Sequence, residues 1–185
     1  MEETYVKDTY NTIATQFDST RYCTWACVEN FFKDVSKESY ILEAGCGNGK
    51  NLQYLFSNGY KYIKGCDFCN NFVKICKLKS LDVIEADVTN LPYEDNSFDI
   101  IICIAVIHHL STSELRIKAI NELIRIIKPT GKILITVSSY EEPFYEDCDL
   151  TSQDVMIPWK DRISKKIIAH RYYHLFIKIV NIFSK

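Results

Sequence analysis

The chain lacks a hydrophobic run long enough to cross a membrane. Its longest, Ile100–Ile107, suits a buried strand and falls well short of the roughly 20 residues a spanning helix needs. Its first residues, MEETYVKDTYN, hold no basic stretch followed by an apolar one, so no secretory signal is expected. It lacks a strong net charge: 22 Lys and Arg against 24 Asp and Glu leave −2, which excludes a polybasic nucleic-acid coat. Internal repeats and low-complexity segments are missing too, so solenoids and disordered linkers are set aside. Cysteine is not scarce, at eight, but the setting of a disulfide scaffold is: 185 residues can bury a core without staples, and no export signal accompanies them. Free thiols in a reducing compartment, cytoplasmic or nuclear, are the expectation, with no membrane partner.

Hydrophobic residues at 47% and charged residues at 25% are ordinary globular usage, and the length suits one domain over 1–185. Three parts are expected within it: an N-terminal helical lid over 1–37, a core over 38–140, and over 141–185 an acidic loop followed by a basic, substrate-side segment. From Trp159 to Lys185 seven basic residues face one acid, Asp161, so the rest of the chain is acidic. A basic tail on an acidic body suits an anionic partner such as RNA; a solvated helix face accounts for it as well.

Helical spacing of Tyr5, Val6, Tyr10, Ile13, Ala14 and Phe17 predicts a helix that turns at Asp18-Ser19-Thr20. A second helix is predicted over about Trp25–Phe32, and Tyr40-Ile41-Leu42 reads as a strand. A helix over Gly49–Phe56 follows, with Asn48 as N-cap and Asn58-Gly59 as the stop. Tyr62–Cys66 and Val83–Ala86 read as strands around a helix over 70–79. FDIIICIAVI, apolar on both faces, belongs in the middle of a parallel sheet. Ser111-x-x-Glu114 signals a capping box, and Ile117, Ile120, Ile124 and Ile127 fall on one helical face ended by Pro129-Thr130-Gly131. Lys132–Ser138 is the fifth strand. Strand and helix alternate throughout, which predicts an α/β fold: an open, doubly wound, mostly parallel Rossmann-like sheet with helices on both faces. Ligands in such folds sit beyond the carboxyl ends of the strands, which selects residues 43–50, 67–70, 87–90 and 105–111.

Glu43-x-Gly45-x-Gly47-x-Gly49 lies between a strand and a helix, where glycine lets backbone approach a ligand. Asp67, at the end of the second strand, can accept both hydroxyls of a ribose. The spacing is GxGxG after an acid, not the GxGxxG that meets a dinucleotide pyrophosphate. An acid at Glu43 suits an ammonium group, directly or by shaping the glycine loop. Asp87 can accept from an adenine amino group beside the Val88 N–H. Cys66-x-x-Cys69 and Cys23-x-x-x-Cys27 each offer half of a zinc site, but a closed site needs four ligands and Asp67 is committed elsewhere, so no metal is expected. His170 and His174 are one turn apart on a helix, without a HExxH pattern.

Together EAGCGNG, GCD, ADVTNLP and FDIIICIAVIHH resemble the class I S-adenosylmethionine-dependent methyltransferases over residues 38–140. The resemblance implies S-adenosyl-L-methionine held by Glu43, Gly45, Cys46, Gly47, Gly49, Asp67, Phe68, Asp87, Val88 and Ala105, with its adenine against Cys66, Phe68 and Asp87. YVKDTYNTIATQFDSTRYCTW, IAVIHHLST, DVMIPW and RYYHLF further resemble the eukaryotic tRNA wobble-uridine carboxymethyl methyltransferases, which methylate the carboxylate of 5-carboxymethyluridine in the tRNA anticodon loop. That implies Arg21, His108 and His109 as catalytic orienters, with His108 the substrate-facing one, and Trp25, Arg171 and His174 as substrate contacts. It also implies a small zinc-binding activator subunit as partner. Tyr10 and Phe17 would form a lid, and Phe176–Phe183 would be a sticky segment if exposed. The family continues past its RYYHLF-like segment to complete the sheet, where this chain has IKIVNIFSK, so the final antiparallel strand pair is expected to be incomplete or rebuilt. Two other readings stay open: a methyltransferase of this fold acting on a small molecule or protein, and a non-catalytic RNA- or partner-binding subunit.

Overall fold

A computed structural model of the chain describes residues 1–21, 23–141 and 152–177. The acidic stretch at 142–151 and the apolar end beyond Ile177 lie outside the described residues. Strands β1 (Tyr40–Ala44), β2 (Tyr62–Asp67), β3 (Val83–Glu85), β4 (Phe98–Ile104) and β5 (Ile127–Thr136) form one sheet in the order β3-β2-β1-β4-β5. All four pairings are parallel. The order reverses between β1 and β4, so the crevice for a ligand opens above the carboxyl ends of these two strands.

The two central strands alternate strictly. Leu42, Ala44, Ile101 and Cys103 face one side and pack on Ala119, Leu123 and Ile126 of α5 (Ser113–Ile126). Ile41, Ile100, Ile102 and Ile104 face the other and meet Val28 of α2 (Ala26–Phe31), Phe32, and Leu55 of α3 (Lys50–Ser57). Each such aliphatic side chain contributes about 1.5–3 kcal/mol on full burial. The helix α4 (Asn70–Leu78) sits beside α3 through Val73 and Cys76, and α1 (Thr9–Thr20) lies on α4 through Ala14 and Phe72. A π-helical segment, Glu3–Asp8, leads into α1.

Several local expectations change. The turn read at Asp18-Ser19-Thr20 is the last turn of α1. Gly49, not Asn48, is the N-cap of α3: its φ is +76°, a left-handed conformation that favours glycine. Asn48 instead sends its side chain to α1. Thr112, not Ser111, caps α5, its hydroxyl accepting from the Leu115 N–H at 3.2 Å. The buried face of α5 is Ala119, Leu123 and Ile126, while Ile117 and Ile124 are exposed. This helix carries apolar groups on two sides, and the smaller Ala119 allows the closer approach to the sheet. The last two strands, β6 (Asp154–Lys160) and β7 (Ile167–His174), form a separate antiparallel pair and do not join β5. A short ladder of Phe176 with Ser138 and Tyr140 ties them to the chain just past β5. This antiparallel pair borders the crevice through Arg171 and Tyr173, and the segment holding His170 and His174 is extended, not helical.

Candidate active site

The loop after β1 is pinned by the Cys66 carbonyl, which accepts from the N–H groups of Gly45 (2.8 Å) and Cys46 (2.9 Å). Gly45 has φ +75°, and a Cβ there would meet Val106 Cγ2 at 2.2 Å, so the loops after β1 and β4 close on each other only because this residue is glycine. The Asp67 carboxylate accepts from the Gly47 N–H at 2.7 Å and the Cys69 N–H at 2.8 Å. Burial nonetheless pushes it up to about 6. Asp87 accepts from the Thr89 N–H at 2.8 Å. Ala105, just past β4, has φ +60°, a left-handed conformation that costs a non-glycine residue on the order of 1 kcal/mol. Such strain clusters where a site is held in shape.

These loops line a cavity of ≈ 440 Å³. Glu43, Gly45, Cys46, Gly47, Asp67, Phe68, Asp87, Val88 and Ala105 all border it, as do Arg21, Trp25, His108, His109 and Arg171. Gly49 and His174 do not. Gly49 packs behind the loop, and Cys66 acts through its carbonyl from below. Arg171 and His174 would share a helical face but point to opposite faces of a strand. Arg171 therefore enters the cavity with Tyr173, while His174 turns away and its Nδ1 pairs with Asp154 Oδ1 at 2.8 Å.

Glu43 Oε2, Asn51 Oδ1 and His108 Nε2 are buried and have no hydrogen-bond partner among the described residues, and all three residues border this cavity. An unpaired buried polar atom is costly, and three around one hollow mark a place shaped for a ligand. Glu43 is 1% exposed; burial pushes its carboxyl up to about 8, although Asn51 Nδ2 donates to it at 2.6 Å. Asp67 Oδ1 and Oδ2 keep further lone pairs that can accept a ribose, and Asp87 can accept an amino group.

The two histidines are held differently. His109 Nδ1 can only donate to the Tyr172 carbonyl at 2.8 Å, so its Nε2 accepts from the Tyr10 hydroxyl at 2.9 Å. Burial lowers its imidazole to about 4. His108 Nδ1 accepts from the Ser138 N–H at 3.0 Å, which places the proton on Nε2. Burial, then His109, drives its basicity well below the ordinary value, so His108 is a neutral N–H donor stacked on Tyr173 with ring centroids 4.6 Å apart. His109 is thus tied to the scaffold, while His108, which also borders the cavity, keeps a buried N–H with no partner among the described residues.

Cations gather at the mouth. The Arg21 guanidinium lies 5.6 Å from the Phe17 ring and 5.9 Å from the Trp159 ring. Lys50 Nζ is 4.9 Å from the Trp25 ring, and burial together with Arg21 lowers its basicity. Tyr10 and Phe17 wall the cavity from α1, each packed on Phe72. The sequence reading put Lys50 in a ligand-facing segment without giving it a role, and missed Asn51 and Tyr173. Lys50 and Asn51 stand in the first turn after the glycine loop, a ligand-facing position; Tyr173 is found only by alternation from Arg171 along β7. Among the described residues no group of three or more His, Cys, Asp or Glu could hold a metal ion.

The methyltransferase-domain family matches residues 42–135. A tRNA (carboxymethyluridine(34)-5-O)-methyltransferase of Arabidopsis thaliana is 44% identical over 83% of this chain and 36% of its own length. A protein of the same description from Schizosaccharomyces pombe is 37% identical over 96% of this chain and 84% of its own length. The chain spans about a third of the length of the first curated relatives it matches. In the solved complex between the Haloferax volcanii Trm112 methyltransferase activator and the putative methyltransferase, a chain 21% identical superposes with a TM-score of 0.66, covering 76% of this chain and 63% of its own. That likeness carries the fold alone. With the glycine loop, the three carboxylates at the strand ends and a relative matched over most of both lengths, the chain belongs to the class I S-adenosylmethionine-dependent methyltransferases, in the tRNA carboxymethyluridine methyltransferase family.

Proposed function

We propose that this protein methylates the carboxylate of 5-carboxymethyluridine at the tRNA wobble position. The observation that carries the reading is the cavity itself: one hollow is bordered by Glu43, His108 and Arg21, and the first two hold buried polar atoms with no partner among the described residues. The residues present fit S-adenosylmethionine. Glu43 Oε2 would accept from its ammonium group, Asp67 from its ribose hydroxyls and Asp87 from its adenine amino group. That cofactor supplies, when bound, a methyl group on a sulfonium.

The rest of the chemistry falls to this chain's own side chains. A carboxylate with a pKa near about 4 is already ionised at neutral pH, so the nucleophile needs no general base. That agrees with two histidines held neutral and only one offering a donor. His108 Nε2–H would hold one carboxylate oxygen, and Arg21 the other or a flanking phosphate. Trp25, 46% exposed at the mouth, offers a face on which an unpaired base can stack. Walls from Tyr10, Phe17 and Phe72 exclude water. Positioning of this kind supplies on the order of 7–11 kcal/mol of barrier reduction. A zinc-binding activator as partner is supported by the family resemblance; exposed Leu78 at the end of α4 and Ile84 on the edge strand β3 offer apolar side chains for it.

The test is transfer of labelled methyl to tRNA carrying 5-carboxymethyluridine, followed by nucleoside analysis. Label on the wobble nucleoside that mild alkali releases is the expected ester. Label that resists alkali, or transfer only to small metabolites, overturns the reading.

A further inference from the structure

The end of β6 and the turn that joins it to β7 carry four cations outside the cavity. Lys160, Arg162, Lys165 and Lys166 are all exposed. Among the described residues none of them stands within ion-pair distance of a carboxylate. The turn is tightly built. Asp161 Oδ1 accepts from the N–H groups of Ile163 (3.1 Å) and Ser164 (2.6 Å) and from the Ser164 hydroxyl (2.8 Å). Its Oδ2 accepts from Gln16 Nε2 on α1 at 2.8 Å, and Gln16 Oε1 accepts from the Trp159 indole N–H. Trp159 stacks on Phe17 with ring centroids 5.8 Å apart. Gln16 and Phe17 therefore fix the turn beside the cavity mouth, where Arg21 also lies near Trp159.

One residue of the turn is strained. Lys165 adopts φ +60°, a conformation glycine would hold without cost. A lysine in a place that favours glycine points to a use for its charge.

We propose that this turn is a phosphate-binding arm that grips the RNA backbone next to the nucleotide in the cavity; the inference rests on the tRNA reading above. Four unpaired cations on a rigid turn match the spaced charges of a nucleic-acid backbone, and phosphate contacts position a strand without reading its sequence. The anchor to α1 makes the arm and Arg21 parts of one surface.

Direct tRNA binding at several salt concentrations tests it, without reference to methyl transfer. The four-site variant K160Q/R162Q/K165G/K166Q is expected to bind tRNA on the order of tenfold or more weakly, with a salt slope smaller by roughly 3. Lys165→Gly alone relieves the strain, so it should raise the melting temperature while weakening tRNA binding by about two- to fivefold. A wild-type protein that does not bind tRNA overturns the arm. So does a folded four-site variant with unchanged affinity and slope, or one whose only loss is binding to phosphatidylserine vesicles. Methyl transfer absent while binding follows the expected pattern overturns the wobble-methylation reading and leaves the arm standing.

Discussion

Lys79 Nζ lies 2.6 Å from Asp18 Oδ1, joining the end of α4 to the last turn of α1. Asn48, in the cofactor loop, shares that carboxylate at 2.9 Å and accepts nothing from it: its amide donates there and to the Arg21 carbonyl at 2.7 Å. Lys79 also donates to the Asn48 carbonyl at 3.0 Å. Four residues from three elements thus set where Arg21 stands over the cavity. Replacing Asp18 by Ala is expected to cost about 1 kcal/mol of stability or less, since the pair is partly exposed. The larger effect should fall on the RNA: KM rising on the order of tenfold with kcat little altered, as a displaced positioning group allows. Steady-state kinetics check it, and Lys79→Arg should retain what Lys79→Met loses. Equal KM values for wild type and Asp18→Ala would show that Arg21 is placed by something else.

Gly45 faces Val106 across the switch point, with no space for a methyl group. Gly45→Ala should cost about 2–4 kcal/mol, part from the clash and part from the left-handed backbone. Cofactor binding should fall below detection in a titration. Adding Val106→Ala should return the clash part and leave the backbone part. A double variant no more stable than the single one would contradict this division.

The central features were legible because they are local. The glycine loop, Asp67 and Asp87 each sit at the end of a strand that a short apolar run announces, and FDIIICI is apolar on both faces because both are covered. The rest depends on partners distant in sequence. Residues 154–174 pair with each other only after the chain has turned back, and His170 with His174 fits a helix or one face of a strand equally well. Arg171 could be placed in the cavity, and His174 outside it, only once the strand was known. The proton on His108 is decided by the Ser138 N–H, thirty positions along, which no spacing rule reveals.

His108 is expected to act as a donor and not as an acid or base. With its basicity driven well below the ordinary value by burial, His108 itself should add no inflection to the rate of methyl transfer at saturating cofactor between about pH 6 and about 8, where an ordinary histidine titrates, so wild type and His108→Gln should show parallel pH profiles there. His108→Phe should lower kcat by about 10- to 100-fold, and His108→Gln, which still offers an N–H, should recover part of it. A sigmoidal rate profile with a midpoint near about 6.5 that vanishes in His108→Phe would instead make it a titrating group.

Glu43 makes a prediction about stability alone. Its carboxyl is raised to about 8 from an ordinary 4.5, mainly by burial. Between those values the folded state holds a proton that the unfolded state has released, so stability must fall as pH rises through that window. The contribution is fully present below pH 4.5 and is lost by about pH 8. Asp67, raised to about 6 from 3.8, adds the same sign over a lower window. His109, lowered to about 4 from 6.5, has the opposite sign and weakens the fold as pH falls below 6.5. The wild-type curve is the sum, so the comparison must be with a variant. Glu43→Gln keeps the shape and removes the titration; its denaturant midpoint should decline less than that of the wild type between about pH 6 and about 8, at about 1.4 kcal/mol per pH unit of difference at most. Parallel curves for the two proteins across that window would mean that Glu43 is ionised in the folded chain, with its charge answered by Lys50 and not by a ligand's ammonium group.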